Sequence, residues 1–271
     1  MKSVSFIASL TLAAVLALPA AAHTPYLQPT TFEPDGDHVT VMTALTNGRF
    51  FVPEFPIKGD DFLVTDGAGK TIAGKGLTLR DLGVFEAALW GPGTYRISTG
   101  ERNVRTLSLG QVGDTWRPVK DAKDGPVQPP FVDRATLPAD ARIVPVATIV
   151  RSETYVTKGA PSATIPPAVG KGLEVAPRTA PTSVFVNKGF DFDLLFDGKT
   201  MPDMAFTVFR ANDAYAGKTF VLNGKTDAKG RGNVTFDGPG IYVLEAQHSW
   251  LLGDPADART HLYSLTLEVT P

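Results

Sequence analysis

The chain has 271 residues, with 26 Lys+Arg against 28 Asp+Glu and a formal net charge of −2. That balance leaves no basic footprint for nucleic acid or for an anionic membrane surface. Cysteine is absent, which excludes disulfides, thiolate metal sites, iron–sulfur clusters and cysteine nucleophiles.

Residues 1–22, MKSVSFIASLTLAAVLALPAAA, carry a lysine near the start, an apolar run and three alanines. This three-part pattern is that of a secretory signal peptide. Cleavage after Ala22 leaves His23 as the N-terminus of the exported chain. No later segment approaches about 18 consecutive apolar residues, so no membrane span is expected after cleavage. An N-terminal histidine can offer both its α-amine and its ring Nδ1 to one ion, because a metal displaces the amine proton at neutral pH.

Residues 23–29, HTPYLQP, read as extended because two prolines oppose a helix. A turn at Pro34-Asp35-Gly36-Asp37 precedes a strand over 39–45, with His38 as a surface residue. Residues 50–57, FFVPEFPI, suit an edge or a loop, since proline cannot donate to a ladder. A short strand over 61–65 leads into the turn Asp66-Gly67-Ala68-Gly69-Lys70, and 81–89 is again apolar. The segment GPGTYRIS at 91–98 recurs as GPGIYVLE at 238–245, and TDGAGKTIAG at 65–74 has a counterpart in TDAKGRGNVT at 226–235. The repeated phrase predicts two modules of similar build.

Between them, VQPP, ATLPADARIVP, APSATIPPA and VAPRTAPTS are too rich in proline for regular structure. One strand is expected in this region, over 149–157, with a helical turn at 137–141 at most. The second module reads as short strands over 183–186, 190–196, 206–210, 219–222, 232–236, 241–250 and 260–269. The expected fold is therefore all-β. It consists of two immunoglobulin-like or transthyretin-like antiparallel β-sandwich domains, at 23–112 and 172–271, joined by a long irregular Pro-rich connector over 113–171.

The last two strands form a hairpin around Gly253-Asp254-Pro255-Ala256-Asp257. Along its arms Tyr242, Leu244, Ala246, His248 and Trp250 share one face, as do His261, Tyr263, Leu265, Leu267 and Val269. Symmetry about the Asp254–Pro255 bond sets His248 opposite His261. Cross-strand neighbours have Cβ atoms roughly 4.5–5.5 Å apart, near enough for two imidazoles to share an ion. With His23 as a third donor, these nitrogens suit a divalent transition metal: nickel, cobalt or copper. The plain alternative is that His248 and His261 cap the edge of a core.

Several stretches resemble one family. They are AHTPYLQP after the signal peptide, RSETYVTKG, the run GLEVAPRTAPTSVFVNKGFDFDLLFDGKTMPDMAFTVFR, and the ending GPGIYVLEAQHS with SLTLEV. They are similar to an exported bacterial domain-of-unknown-function family (4198), often labelled NikM-like. Some of its members are described as a periplasmic component of nickel or cobalt uptake. The resemblance spans essentially the whole mature chain and implies a periplasmic location, β-sandwich architecture and a transition-metal role. Its leading and near-C-terminal histidines match His23 and His248; His261 rests on hairpin geometry alone. The expected ligand is a metal ion, and the expected partner a membrane transporter or TonB-dependent receptor. Residues 190–210 also resemble sandwich modules of the carboxypeptidase-regulatory type, a likeness of fold only.

Enzymatic signatures are missing: the chain holds no G-x-S-x-G, H-E-x-x-H or P-loop pattern. Glu153 and Glu245, as charged residues on strands, are expected to face solvent. The chain is read as a binding protein and not an enzyme. The competing reading is a non-metal binding or structural module of the cell envelope that uses its loops and Trp90, Trp116 and Trp250.

Overall fold

A computed structural model of the chain describes residues 23–47, 49–113, 115–211, 220–249 and 259–271. Residues 1–22, expected to be a signal peptide, together with Trp250 and the turn expected at 253–257, lie outside these residues.

The described chain is built from strands. A four-stranded sheet runs in the order β1-β2-β6-β5, from β1 (Thr24–Pro29), β2 (His38–Thr46), β5 (Gly76–Thr78) and β6 (Gly83–Ala88). Facing it are β3 (Phe62–Asp66), β4 (Thr71–Gly74) and β7 (Gly93–Ser98), which join a twelve-stranded sheet through β11 (Ile143–Lys158). The main path of that sheet is β10 (Val132–Asp133), β9 (Thr115–Lys120), β8 (Arg102–Val112), β11, β20 (Arg259–Thr270), β19 (Gly240–Ser249), β16 (Ala205–Arg210) and β17 (Val221–Lys225). β13 (Val184–Phe185) pairs with β20 off this path. A third sheet holds β12 (Leu173–Pro177), β14 (Gly189–Phe196), β15 (Lys199–Thr200) and β18 (Arg231–Thr235). Two 3-10 turns, Ala122–Asp124 and Arg134–Thr136, are the only helical pieces among the described residues.

Two principal cores result, each packed between a pair of sheets in sandwich fashion. Leu27, Val39, Val41 and Phe85 meet Phe62, Val64, Tyr95, Ile97 and Val156 in one. Phe190, Phe192, Leu194 and Val234 meet Tyr242, Leu244, Tyr263 and Leu265 in the other. Both cores draw on alternate residues of each strand, the period-two pattern legible in the sequence.

The two Gly-Pro-Gly-x-Tyr segments share one bond, a tyrosine corner at each. Tyr95 Oη donates to the Gly91 carbonyl at 2.7 Å, and Tyr242 Oη to the Gly238 carbonyl at 2.8 Å. The second glycine of each Gly-Pro-Gly turn has φ of +141° and +146°, at Gly93 and Gly240, a conformation side chains oppose. The upstream turns match as well. Asp66 Oδ1 accepts from the backbone N–H of Ala68 and Lys70, and Asp227 Oδ1 from that of Lys229 and Arg231.

The strand expected over 149–157 extends from Ile143 to Lys158 and is the spine of the large sheet. It pairs antiparallel with β7 and β8 and parallel with β20. A parallel pair needs a long crossover, and the chain between β11 and β20, which carries the whole third sheet, supplies it. Strands β9 and β10 lie in the connector read as irregular, and β12 overlaps the Pro-rich run that begins at Val175.

Candidate metal site

The C-terminal hairpin has the register expected of it. Tyr242 pairs with Leu267, Leu244 with Leu265, Ala246 with Tyr263 and His248 with His261. The two imidazoles end a row that is otherwise apolar. His261 is 7% exposed, and His248 is half-buried. Phe196, at the end of β14 in the facing sheet, lies against both rings, with centroids at 5.1 Å from His248 and 5.0 Å from His261. Burial holds both imidazoles below the usual histidine range, because a low-polarity site disfavours the charged form. Both rings therefore keep a lone pair available at neutral pH.

A carboxylate that sequence reasoning missed stands beside them. Glu101 Oε1 is 3.6 Å from His261 Nδ1, and Glu101 Oε2 is 3.4 Å from Lys171 Nζ. Glu101 precedes β8, and β8 and β20 flank β11 on opposite edges at Ile149, which pairs with both Asn103 and His261. No local pattern announces a neighbour brought in through a third strand. A tetrahedral ion with ligands at roughly 2.0–2.2 Å sets adjacent donors about 3.4 Å apart. The 3.6 Å between His261 Nδ1 and Glu101 Oε1 is close to that spacing.

His23 is placed elsewhere. The neighbouring Thr24 hydroxyl donates to Glu245 Oε2, and Glu245 leaves β19 on the face opposite His248, because alternate residues point to opposite sides. The His23 ring instead meets Glu54, Nε2 to Oε2 at 2.9 Å, and the edge of Phe55. Among the described residues no group of three His, Asp or Glu side chains stands in metal-ligand geometry. The structure thus joins His248 with His261 and separates His23 from them. His38 is exposed and bonds Asp37 Oδ1 at 2.9 Å, a surface residue as expected.

The expectation that Glu153 faces solvent is corrected. Its side chain is fully buried, accepts from Tyr263 Oη at 2.8 Å and lies 3.8 Å from Arg96 Nε. Arg151 and Glu174 form a second buried pair at 3.5 Å, and Glu174 also accepts from the backbone N–H of Val169 and Gly170. The reason is β11's central place: a charged residue there has sheet on both sides, so it is buried with its partners. Glu245 is likewise largely covered, and burial pushes its carboxyl above the usual range. Trp90 packs beside the N-terminal core with its Nε1 donating to Asp66, and Trp116 packs against Leu109, Val144 and Val146.

Among solved structures, the chain is similar to a DUF4785 family protein from Legionella pneumophila (10% identity, TM-score 0.24) and covers 89% of this chain and 55% of that one. It is similar to the D0-D1 domain of intimin (11% identity, TM-score 0.20, 89% of this chain and 96% of that). It is also similar to the FN1-FN3 domains of chicken CNTN1 (7% identity, TM-score 0.22, 92% and 100%). No curated protein matches. The profile of the family described as "Domain of unknown function (DUF4198)" matches residues 20–249, most of the chain, and the protein belongs to that family.

Proposed function

We propose that this is an exported periplasmic protein that binds one divalent late-transition ion, nickel, cobalt or copper, at His248 and His261 with Glu101 beside them. The observation that carries the reading is the direct cross-strand pairing of the two histidines at the end of an apolar row. Their suppressed basicity supports it, since a metal competes with protons for the same nitrogen. Phe196 shields one side of the pair, and an apolar wall limits solvent access to such a site. A membrane transporter or TonB-dependent receptor is the partner to which such a protein would pass its ion.

Titration calorimetry with Cu(II), Ni(II), Co(II) and Zn(II), on protein that keeps Ala22 ahead of His23 so that a terminal amine takes no part, tests the reading. One ion is expected to bind with Kd tighter than ~10 μM, more weakly in His248→Ala and His261→Ala and unchanged in His38→Ala. If no ion binds that tightly, or if His38→Ala weakens binding as much as His261→Ala, the pair is not the site.

A further inference from the structure

The His23–Glu54 contact has a chemical consequence of its own. A carboxylate only accepts hydrogen bonds, so the nitrogen facing it must carry the proton. Glu54 Oε2 faces His23 Nε2 at 2.9 Å, so the neutral ring carries its hydrogen on Nε2 and its lone pair on Nδ1. Glu54 is itself fixed, with Oε1 accepting from the Asn47 backbone N–H at 3.1 Å, and that bond, ahead of the contact with His23, helps to hold its carboxyl below the usual range. Phe55 sets the tilt of the ring through an edge contact at 4.9 Å. A carboxylate bonded to the far nitrogen of a ligating imidazole is the usual arrangement that fixes tautomer and orientation at a metal.

Nδ1 is also the ring nitrogen nearer the residue's own backbone. In a chain that begins at His23, the α-amine and Nδ1 can close a six-membered chelate on one ion, which Nε2 cannot do. Pro25 has no N–H, so its nitrogen has no proton to give up and stepwise amide coordination stops at Thr24.

We infer that the processed N-terminus is a second metal site, separate from the His248–His261 pair, in which the His23 amine and Nδ1 chelate copper(II) and Glu54 is the positioning residue. Amine and imidazole nitrogens in a tetragonal set favour copper(II) among the first-row divalent ions. This site requires export and cleavage before His23 but does not require the paired histidines.

The test uses protein purified from the periplasm, its N-terminus read by mass spectrometry, and copper(II) followed by electron paramagnetic resonance. In a His248→Ala/His261→Ala background one copper(II) with nitrogen hyperfine structure is expected per chain. Retaining Ala22 ahead of His23, in that background and in the wild type, is expected to remove this signal by converting the amine to a peptide nitrogen. Glu54→Gln is expected to weaken this copper about 10- to 100-fold, because the glutamine amide can donate to Nε2 and move the ring proton to Nδ1. The metal-free thermal midpoint of Glu54→Gln is expected to stay put. An N-terminus other than His23, a copper signal that survives the extra alanine in the His248→Ala/His261→Ala background, or unchanged affinity in Glu54→Gln there would each overturn the inference. Loss of copper only from the His248→Ala/His261→Ala protein, with the wild-type signal indifferent to the extra alanine, would leave the paired site standing and remove this one.

Discussion

Arg151 Nη1 and Glu174 Oε2 meet at 3.5 Å with side chains 5% and 1% exposed. Arg151 stands on β11 in the large sheet and Glu174 on β12 in the sheet that covers it, so the pair ties the spine to the C-terminal sandwich. Removing one partner of a buried pair strands the other charge, at a cost of about 3–5 kcal/mol. Arg151→Ala is expected to lower the unfolding free energy by that amount in urea titrations. A loss below about 1 kcal/mol, the range of exposed pairs, would show that water reaches Glu174.

Glu245 tests the other face of β19. Its carboxyl accepts from Thr24 and is pushed up by burial. A carboxyl whose folded pKa lies above its unfolded value contributes stability at low pH and loses it as pH rises through the folded value. At pH 7 the charged form is therefore a cost. Glu245→Gln keeps an acceptor for Thr24 and removes the charge, so it is expected to be the more stable protein at pH 7. The advantage should vanish near about pH 4, where free glutamate is half protonated. Urea midpoints at the two pH values check the sign.

The matched tyrosine corners make a paired prediction. Tyr95→Phe and Tyr242→Phe each delete a hydroxyl-to-carbonyl bond at equivalent turns, and Tyr95→Phe also takes away the hydroxyl that accepts from the Gly91 N–H. Each is expected to cost about 1 kcal/mol, the net worth of such a bond. The double variant should cost the sum, since the corners belong to separate cores and distant sites add.

What was legible in the sequence was local or periodic. Strand alternation marked the core-facing residues, the Gly-Pro-Gly-x-Tyr phrase marked two matching turns that each open a strand, and the hairpin's symmetry gave the His248–His261 pairing. Contacts made through a third strand left no trace in the sequence. Glu101 reaches His261 across β11, and Glu54 reaches His23 from a Pro-rich stretch. Glu153 looks like a solvent-facing charge because a strand's own residues do not say whether it lies at an edge or at the centre of a sheet. The same ignorance put β11 inside a connector, although its partners β7, β8 and β20 make it central. His23 was expected beside His248 because one strand's alternation does not reveal which face of β19 receives β1.

The histidines should titrate apart. Burial lowers His248 and His261, and the hydrogen bond that the ring donates to Asp37 raises exposed His38. Imidazole proton shifts in the metal-free protein are expected to show the first two with midpoints below the ordinary value of about 6.5 and His38 above it. For a base depressed on folding, the unfolded chain takes the proton first, so stability falls as pH drops below about 6.5 and levels off below the folded values. His248→Ala/His261→Ala should flatten that part of the stability profile.

The central claim is that His248 and His261 hold one ion together, and its most direct measurement is paramagnetic broadening of the histidine ring signals by substoichiometric Co(II) or Ni(II). The protein used should keep Ala22 ahead of His23, so that the terminal amine takes no part. The rings of His248 and His261 are expected to broaden together and first, with His38 unaffected and with the effect lost in His261→Ala. Broadening of His38 alone, of only one ring of the pair, or of no histidine at one equivalent of metal would contradict a shared ion at this hairpin.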